Sequence, residues 1–338
     1  DVSSKNLGSQ PGPAILVSRA CIMAMEAPHM ERMGSDATPY AGLFPDGGGD
    51  PPIMTDVIIE NQKRLATYHW AVTKPKGLVV LVHGFGEHLG RYFHVANFFV
   101  KQGYEVRGMD HVCHGHSEGF RNAYGLLELE VLLESWTQYI LQEIVSLQGP
   151  HFVYSHSTGG MVAFLSLNRA LTKWDKLVGV IYSAPLIRQP SCIAKPMYWC
   201  PGLADCCLSC GLLCGTCCLL NGVVAGQLST YKALEDPLYF GWKANLSMVK
   251  TLGNGTVMAL QQLKQPKYPF LVMVSPKDQL VDPAAAKELF EQAASSTKSF
   301  ETDAFASCEH EIHNEEDWQK PLKIALQFLQ SLKPADRL

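Results

Sequence analysis

The sequence predicts an α/β domain, a mainly parallel central sheet flanked by helices and interrupted by one insertion. Three observations carry this expectation. From about residue 57 onward, short apolar runs alternate with longer amphipathic ones, the rhythm of strands joined by crossover helices. The run Leu78, Val79, Val80, Leu81, Val82 is apolar throughout, as a strand covered on both faces must be. The rhythm stops after residue 184 and resumes with a new apolar run at 270.

Strands are expected at 77–83, 104–110, 152–155, 178–183, 270–275 and 300–305. Helices are expected at 92–102, 126–147, 159–171, 283–294 and 318–332. Within 126–147, Leu129, Leu132, Leu133, Trp136, Ile140 and Ile144 mark one face at helical spacing. Residues 1–52 are rich in Gly, Pro, Ser and Asp, lack any sustained period and read as a flexible tail. The core then falls into 53–184 and 269–338, separated by a cap or lid insertion at 185–268. The chain opens at Asp1, and the apolar run 14–17, broken by Arg19, is too short for a signal segment or a membrane span.

A net charge of -4 supplies no positive field to draw the chain to phosphates, so nucleic acid is not an expected partner. Of the 11 cysteines, Cys192, Cys200, Cys206, Cys207, Cys210, Cys214, Cys217 and Cys218 crowd one segment, leaving Cys21, Cys113 and Cys308 elsewhere. The total is odd, and vicinal pairs such as Cys206 and Cys207 suit ordinary bridges poorly; a reducing, cytoplasmic compartment is the expectation.

The strand at 152–155 runs into Ser155-His156-Ser157-Thr158-Gly159-Gly160 and then a helical pattern. Strand, sharp turn at a serine, and helix form the setting of a nucleophile elbow. Such a turn crowds the positions two before and two after the serine. Gly159 meets that demand, whereas Ser155 brings a Cβ to the other position. A Ser/Gly-rich loop is the alternative reading of this stretch.

The strand at 77–83 ends in His83-Gly84-Phe85-Gly86-Glu87-His88-Leu89-Gly90-Arg91-Tyr92. Glycines at a strand's C-terminal end let amide hydrogens face a cleft and stabilise an oxyanion. The next strand ends in Asp110-His111-Val112-Cys113-His114-Gly115-His116-Ser117-Glu118-Gly119. In this order ahead of the elbow, the two stretches resemble the monoacylglycerol lipase family and the related lysophospholipases, serine hydrolases of the α/β-hydrolase fold. The resemblance covers roughly residues 55–332, dense in the core and weak in the insertion. It implies Ser157 as nucleophile and oxyanion-hole amides at Phe85 and Thr158. Cys113 stands where the family has glycine, a departure comparable to Ser155.

An acid and then a histidine should follow the serine. Asp278, in the loop leaving the apolar run 270–274, matches the family acid, while Asp282, just before Pro283, reads as a helix N-cap. In Cys308-Glu309-His310-Glu311-Ile312-His313-Asn314-Glu315, the resemblance makes His310 the general base and places His313 near the polar head of the substrate. Glu87 and Arg91 match further head-group positions; taken singly, each reads as a solvated charge.

No metal or organic cofactor is expected. His111, His114 and His116 have ligand-like spacing but no evident second shell, and read as structural. His310 and His313 stand three apart, which misses the His-Glu-x-x-His spacing of zinc hydrolases. Cys207-x-x-Cys210 and Cys214-x-x-Cys217 lie closer together than zinc modules place such pairs; packing as small hydrophobes is their default reading, with thioacylation as an alternative. The stretch 206–226 carries no charge and is broken by Gly211, Gly215 and Gly222, so it reads as a cap dipping an apolar face into a membrane rather than crossing it. The resemblance therefore implies hydrolysis of a monoacylglycerol-like lipid ester through an acyl-enzyme, by a chain peripherally attached to a membrane surface. A lysophospholipase, a general carboxylesterase, a superfamily peptidase and a catalytically silent binding or scaffold protein are the alternatives. Ser155 is the feature that favours the last; intact Ser157, Asp278 and His310 argue against it.

Overall fold

The structure, a computed structural model, describes residues 49–59, 63–119, 128–189, 236–239 and 246–332, all within the compact unit Arg32–Leu338. The tail before residue 49, the cysteine-rich stretch of the insertion and Cys21 lie outside the described residues.

The sheet has eight strands: β1 (Ile53–Ile58), β2 (Arg64–Trp70), β3 (Leu78–Val82), β4 (Glu105–Met109), β5 (His151–His156), β6 (Leu177–Ser183), β7 (Phe270–Met273) and β8 (Lys298–Glu301). Their spatial order is β1-β2-β4-β3-β5-β6-β7-β8. From β4 to β8 every pairing is parallel, while β1–β2 and β2–β4 are antiparallel. This is the α/β-hydrolase fold expected from the sequence. Side chains of β3 alternate between two hydrophobic layers. Leu78, Val80 and Val82 enter one together with Trp136, Val162 and Leu289; Val79 and Leu81 enter the other with Val95, Phe99, Leu322 and Phe328. Burial on both faces is why this strand has no polar alternation.

Helices α2 (Leu129–Tyr139), α3 (Thr158–Ala170), α4 (Leu246–Gln261) and α5 (Pro283–Gln292) contribute to the first layer, and α1 (Phe93–Lys101) and α6 (Gln319–Ser331) to the second. The antiparallel strands β1 and β2 are not among the strands expected from the sequence, and three further local features differ from it. The helix expected over 126–147 is α-helical only to Tyr139 and then widens into a π turn, Ile140–Ile144, which keeps Ile140 and Ile144 buried. The last strand lies at Lys298–Glu301 rather than 300–305, because the chain turns at Asp303–Phe305 to bury Phe305. Helix α4 stands inside the segment expected to be cap. One of its two glycines reflects packing: a Cβ on Gly255 would collide with Met161 of α3.

No helix among the described residues is long and apolar enough to cross a membrane. The parallel strands β3, β5 and β7 all point their C-terminal ends to one edge, where the loops bearing Gly84, Ser157 and Asp278 leave the sheet.

Candidate active site

Ser157 sits between β5 and α3 with φ +53° and ψ -121°, a left-handed conformation unusual for a residue with a Cβ. The turn is tight enough that a Cβ on Gly159 would run into the carbonyl oxygens of Val82 and His83. Ser155 is accommodated differently. It lies inside β5, fully buried, and its hydroxyl donates to the Ile181 carbonyl of β6 at 3.0 Å. The Cβ thus meets no obstacle, and its hydroxyl finds a partner across the sheet.

The Ser157 hydroxyl and His310 Nε2 are 2.9 Å apart, and His310 Nδ1 lies 2.7 Å from Asp278 Oδ2. The other Asp278 oxygen, Oδ1, accepts from the amides of Leu280 at 2.8 Å and Val281 at 3.0 Å, so the carboxylate is held in one orientation. Burial alone would lower the His310 pKa. The adjoining Asp278 carboxylate outweighs it, helped by Glu311 and Glu87, and the net shift is upward. Asp282 is placed elsewhere: its Oδ1 caps α5 through the Ala284 amide, and its Oδ2 accepts from Arg188.

Thr158 is the first residue of α3, where an amide has no partner within its own helix. Phe85 lies in the turn after β3, its ring edge-on to His114 at 5.8 Å. The same turn passes close to the serine, since a Cβ on Gly84 would stand 3.2 Å from Ser157 Cβ. Buried histidines brace this turn. His83 donates through Nδ1 to the Gly84 carbonyl and accepts the His111 amide at Nε2; His111 donates through Nε2 to the His83 carbonyl and accepts from Trp136 at Nδ1. Both rings are therefore neutral with fixed tautomers, and burial holds their pKa values well below the ordinary imidazole value. Their nitrogens are used in bracing.

Glu87 and Arg91 are both buried and face each other at 2.7 Å. Glu87 Oε1 also accepts from the Gly84 amide and from the Tyr92 hydroxyl at 2.7 Å. Arg91 donates through Nη1 and Nη2 to the two oxygens of Glu311, each at 2.8 Å. His313, fully buried, packs against Tyr92, Tyr154 and His156, and neither ring nitrogen has a hydrogen-bond partner among the described residues. The structure thus gathers Ser157, Asp278, His310, Phe85 and Thr158 around one point, with Glu87, Arg91 and His313 packed behind it. Sequence reading passed over Glu311, Tyr92, Asp236 and Tyr239, which complete this rear wall. Asp236 bonds His88 at 2.7 Å, and the Tyr239 ring centre lies 4.8 Å from the Arg91 guanidinium carbon.

The model of the hydrolase family described as serine aminopeptidase, S33, matches residues 73–317. The chain belongs to this family. Within the S33 family setting, relatives include a monoacylglycerol lipase of Mycolicibacterium smegmatis, 28% identical over 72% of this chain and 84% of that protein. An uncharacterised abhydrolase domain-containing protein of Dictyostelium discoideum is 28% identical over 78% of this chain, a match that spans only 27% of that protein's length. Among solved structures, a soluble variant of monoglyceride lipase from Saccharomyces cerevisiae, in complex with a substrate analogue, superposes with a TM-score of 0.67. That match covers 85% of this chain and 96% of the yeast chain at 18% identity, and it supports the fold alone. The chain is a monoglyceride-lipase-like α/β hydrolase of the S33 family.

Proposed function

We propose that this S33-family chain is a serine hydrolase that cleaves the ester bond of monoacylglycerol-like lipids through an acyl-enzyme. The observation that carries the proposal is the continuous relay from Ser157 Oγ through His310 to Asp278 at the strand-to-helix turn. A serine hydroxyl is a weak nucleophile until an imidazole accepts its proton. His310 Nε2 is placed to accept it, and Asp278 keeps the ring's proton on Nδ1 and stabilises the cation that forms. The ester carbonyl carbon bonds to Ser157 Oγ, and its oxygen gathers negative charge opposite the amides of Phe85 and Thr158. His310 then passes the proton to the departing glycerol oxygen. Water, deprotonated by the same nitrogen, splits the acyl-enzyme and releases the fatty acid.

Head-group recognition divides among the residues behind the serine. His313 has both ring nitrogens to offer a polar head. Arg91 donates both to Glu87 and to Glu311, so in this reading Glu87 and Arg91 shape the wall rather than reach for substrate. The uncharged stretch 206–226 is proposed to meet the membrane and pass on the acyl chain.

The test is fluorophosphonate labelling of wild type and Ser157→Ala, followed by a panel of mono- and diacylglycerols, lysophospholipids and an amino-acid amide. Labelling lost in the variant and turnover highest on monoacylglycerol are expected. Labelling that persists sinks the nucleophile, and preference for the amide makes the chain a peptidase.

A further inference from the structure

Glu311 follows the base directly, is 4% exposed, and has no part in the proton relay. Burying a carboxylate costs several kcal/mol unless it is well paired, and apolar residues of similar size serve stability as well as a buried ion pair does. Stability alone therefore gives no reason for a charge here, so its contacts must supply one. Its two oxygens take the Arg91 fork at 2.8 Å each, and Oε2 also accepts from Asn314 at 2.9 Å. Arg91 passes the contact on to Glu87 at 2.7 Å, and Glu87 holds the Gly84 amide, one residue before Phe85. A bidentate arginine–carboxylate pair fixes direction as well as distance. The chain of bonds thus joins the loop that carries His310 to the turn that carries the Phe85 amide, two loops that are otherwise attached to different strands, β8 and β3.

We propose that Glu311 is a positioning residue for ester hydrolysis: through Arg91 and Glu87 it fixes the oxyanion turn relative to the loop of the general base. The proposal rests on the Ser157, His310 and Asp278 reading above. The cluster places two carboxylates around one guanidinium, so it also leaves a negative charge behind the imidazole. Burial lowers the His310 pKa, and Asp278, Glu311 and Glu87 raise it by more. The other groups facing the ring are Ser157, at 2.9 Å from Nε2, His156, at 4.8 Å between centroids, and His313, whose own pKa burial holds well down.

Glu311→Gln removes the charge and keeps an oxygen for Asn314 and Arg91 Nη2, while Arg91 Nη1 retains Glu87. Misplacing a reacting group by an ångström costs roughly 10²-fold, so kcat on a short p-nitrophenyl ester should fall on the order of 10- to 10²-fold, with KM little changed. The acid limb of kcat/KM should move to lower pH, because one of the charges raising the His310 pKa has gone. General structural damage would lower kcat without that displacement. An unchanged kcat, or a lowered kcat with the acid limb in place, overturns the proposal. Should Glu311→Gln melt below the assay temperature, Asn314→Ala, which removes one of the two donors to Glu311 Oε2 and leaves Arg91 Nη2, takes its place: a several-fold lower kcat at constant KM is expected, and an unchanged kcat overturns the proposal. Ser157→Ala is run alongside. Labelling that survives there fails the underlying serine assignment, whereas labelling lost there with Glu311→Gln behaving as wild type fails this proposal alone.

Discussion

Replacing Asp278 with asparagine should be far more damaging than its near-isosteric shape suggests, and the structure indicates why. Asp278 Oδ1 accepts two backbone amides, from Leu280 and Val281, and only an oxygen can do so. The asparagine must therefore keep its carbonyl there and turn its NH2 toward His310 Nδ1. A donor at that position forces the ring to accept at Nδ1 and carry its proton on Nε2, 2.9 Å from the Ser157 oxygen. In that tautomer the imidazole cannot take the serine proton. The equivalent change in other serine triads lowers turnover by about 10⁴, which corresponds to about 5.4 kcal/mol of lost transition-state stabilisation. A short p-nitrophenyl ester is the right substrate, since it reports the chemical step without a membrane. Fluorophosphonate labelling should slow in parallel and the melting temperature should change little. Asp282→Asn serves as control: asparagine caps a helix as well as aspartate does, so kcat should stay within about twofold. A Asp278→Asn enzyme that keeps more than about a tenth of its kcat, or a larger loss at Asp282, would refute the tautomer argument.

Further expectations concern the departures and the substrate. Ser155→Gly removes a buried hydroxyl bonded to Ile181, so it should cost about 1 kcal/mol of stability by chemical denaturation yet leave kcat within a few-fold; a large catalytic loss would mean that the serine itself shapes the elbow. His313→Phe keeps the ring packing and removes both nitrogens, so KM for monoacylglycerol should rise by roughly 5- to 30-fold while a p-nitrophenyl ester of the same chain is unaffected; equal effects on both would assign His313 to packing. In the insertion, changing Leu212, Leu213, Leu219 and Leu220 to serine should reduce liposome flotation and long-chain hydrolysis and spare a short soluble ester, since a few leucine-sized chains contribute several kcal/mol (about 25 cal/mol per Å²) to membrane contact. Unchanged flotation would remove the membrane from the proposal.

The parts of the fold legible in the sequence are those whose signal is local. β3 and β5 lie between two helical layers, so their apolar runs announce them, and Gly159 marks a turn that excludes a side chain. β1 was hidden because it is the sheet's edge strand: Ile53 and Ile58 are exposed, and Thr55 and Asp56 break any apolar run. α4 was hidden for the opposite reason, since a glycine that reads as a breaker is there the residue that lets the helix approach α3.

The rear wall of the site shows where local reading stops. Arg91 alone is a charge after a glycine-rich loop, and its expected environment is solvent. Its partner Glu311 stands 220 residues away in the chain, on the loop after β8, four strands from β3 in the sheet, and only the fold makes them neighbours. The same holds for the histidines: spacing cannot tell a metal ligand from a brace, because both demand a nitrogen lone pair or N–H held in place. What separates the two is the occupant of each nitrogen. At His83 and His111 those occupants are backbone groups and the Trp136 indole, which ties the turn after β3 to the packed core. An oxyanion amide stabilises a transition state only if it need not reorganise when charge appears. In the mechanism proposed above, two neutral rings on one side and the Glu87, Arg91 and Glu311 network on the other hold the turn after β3 still.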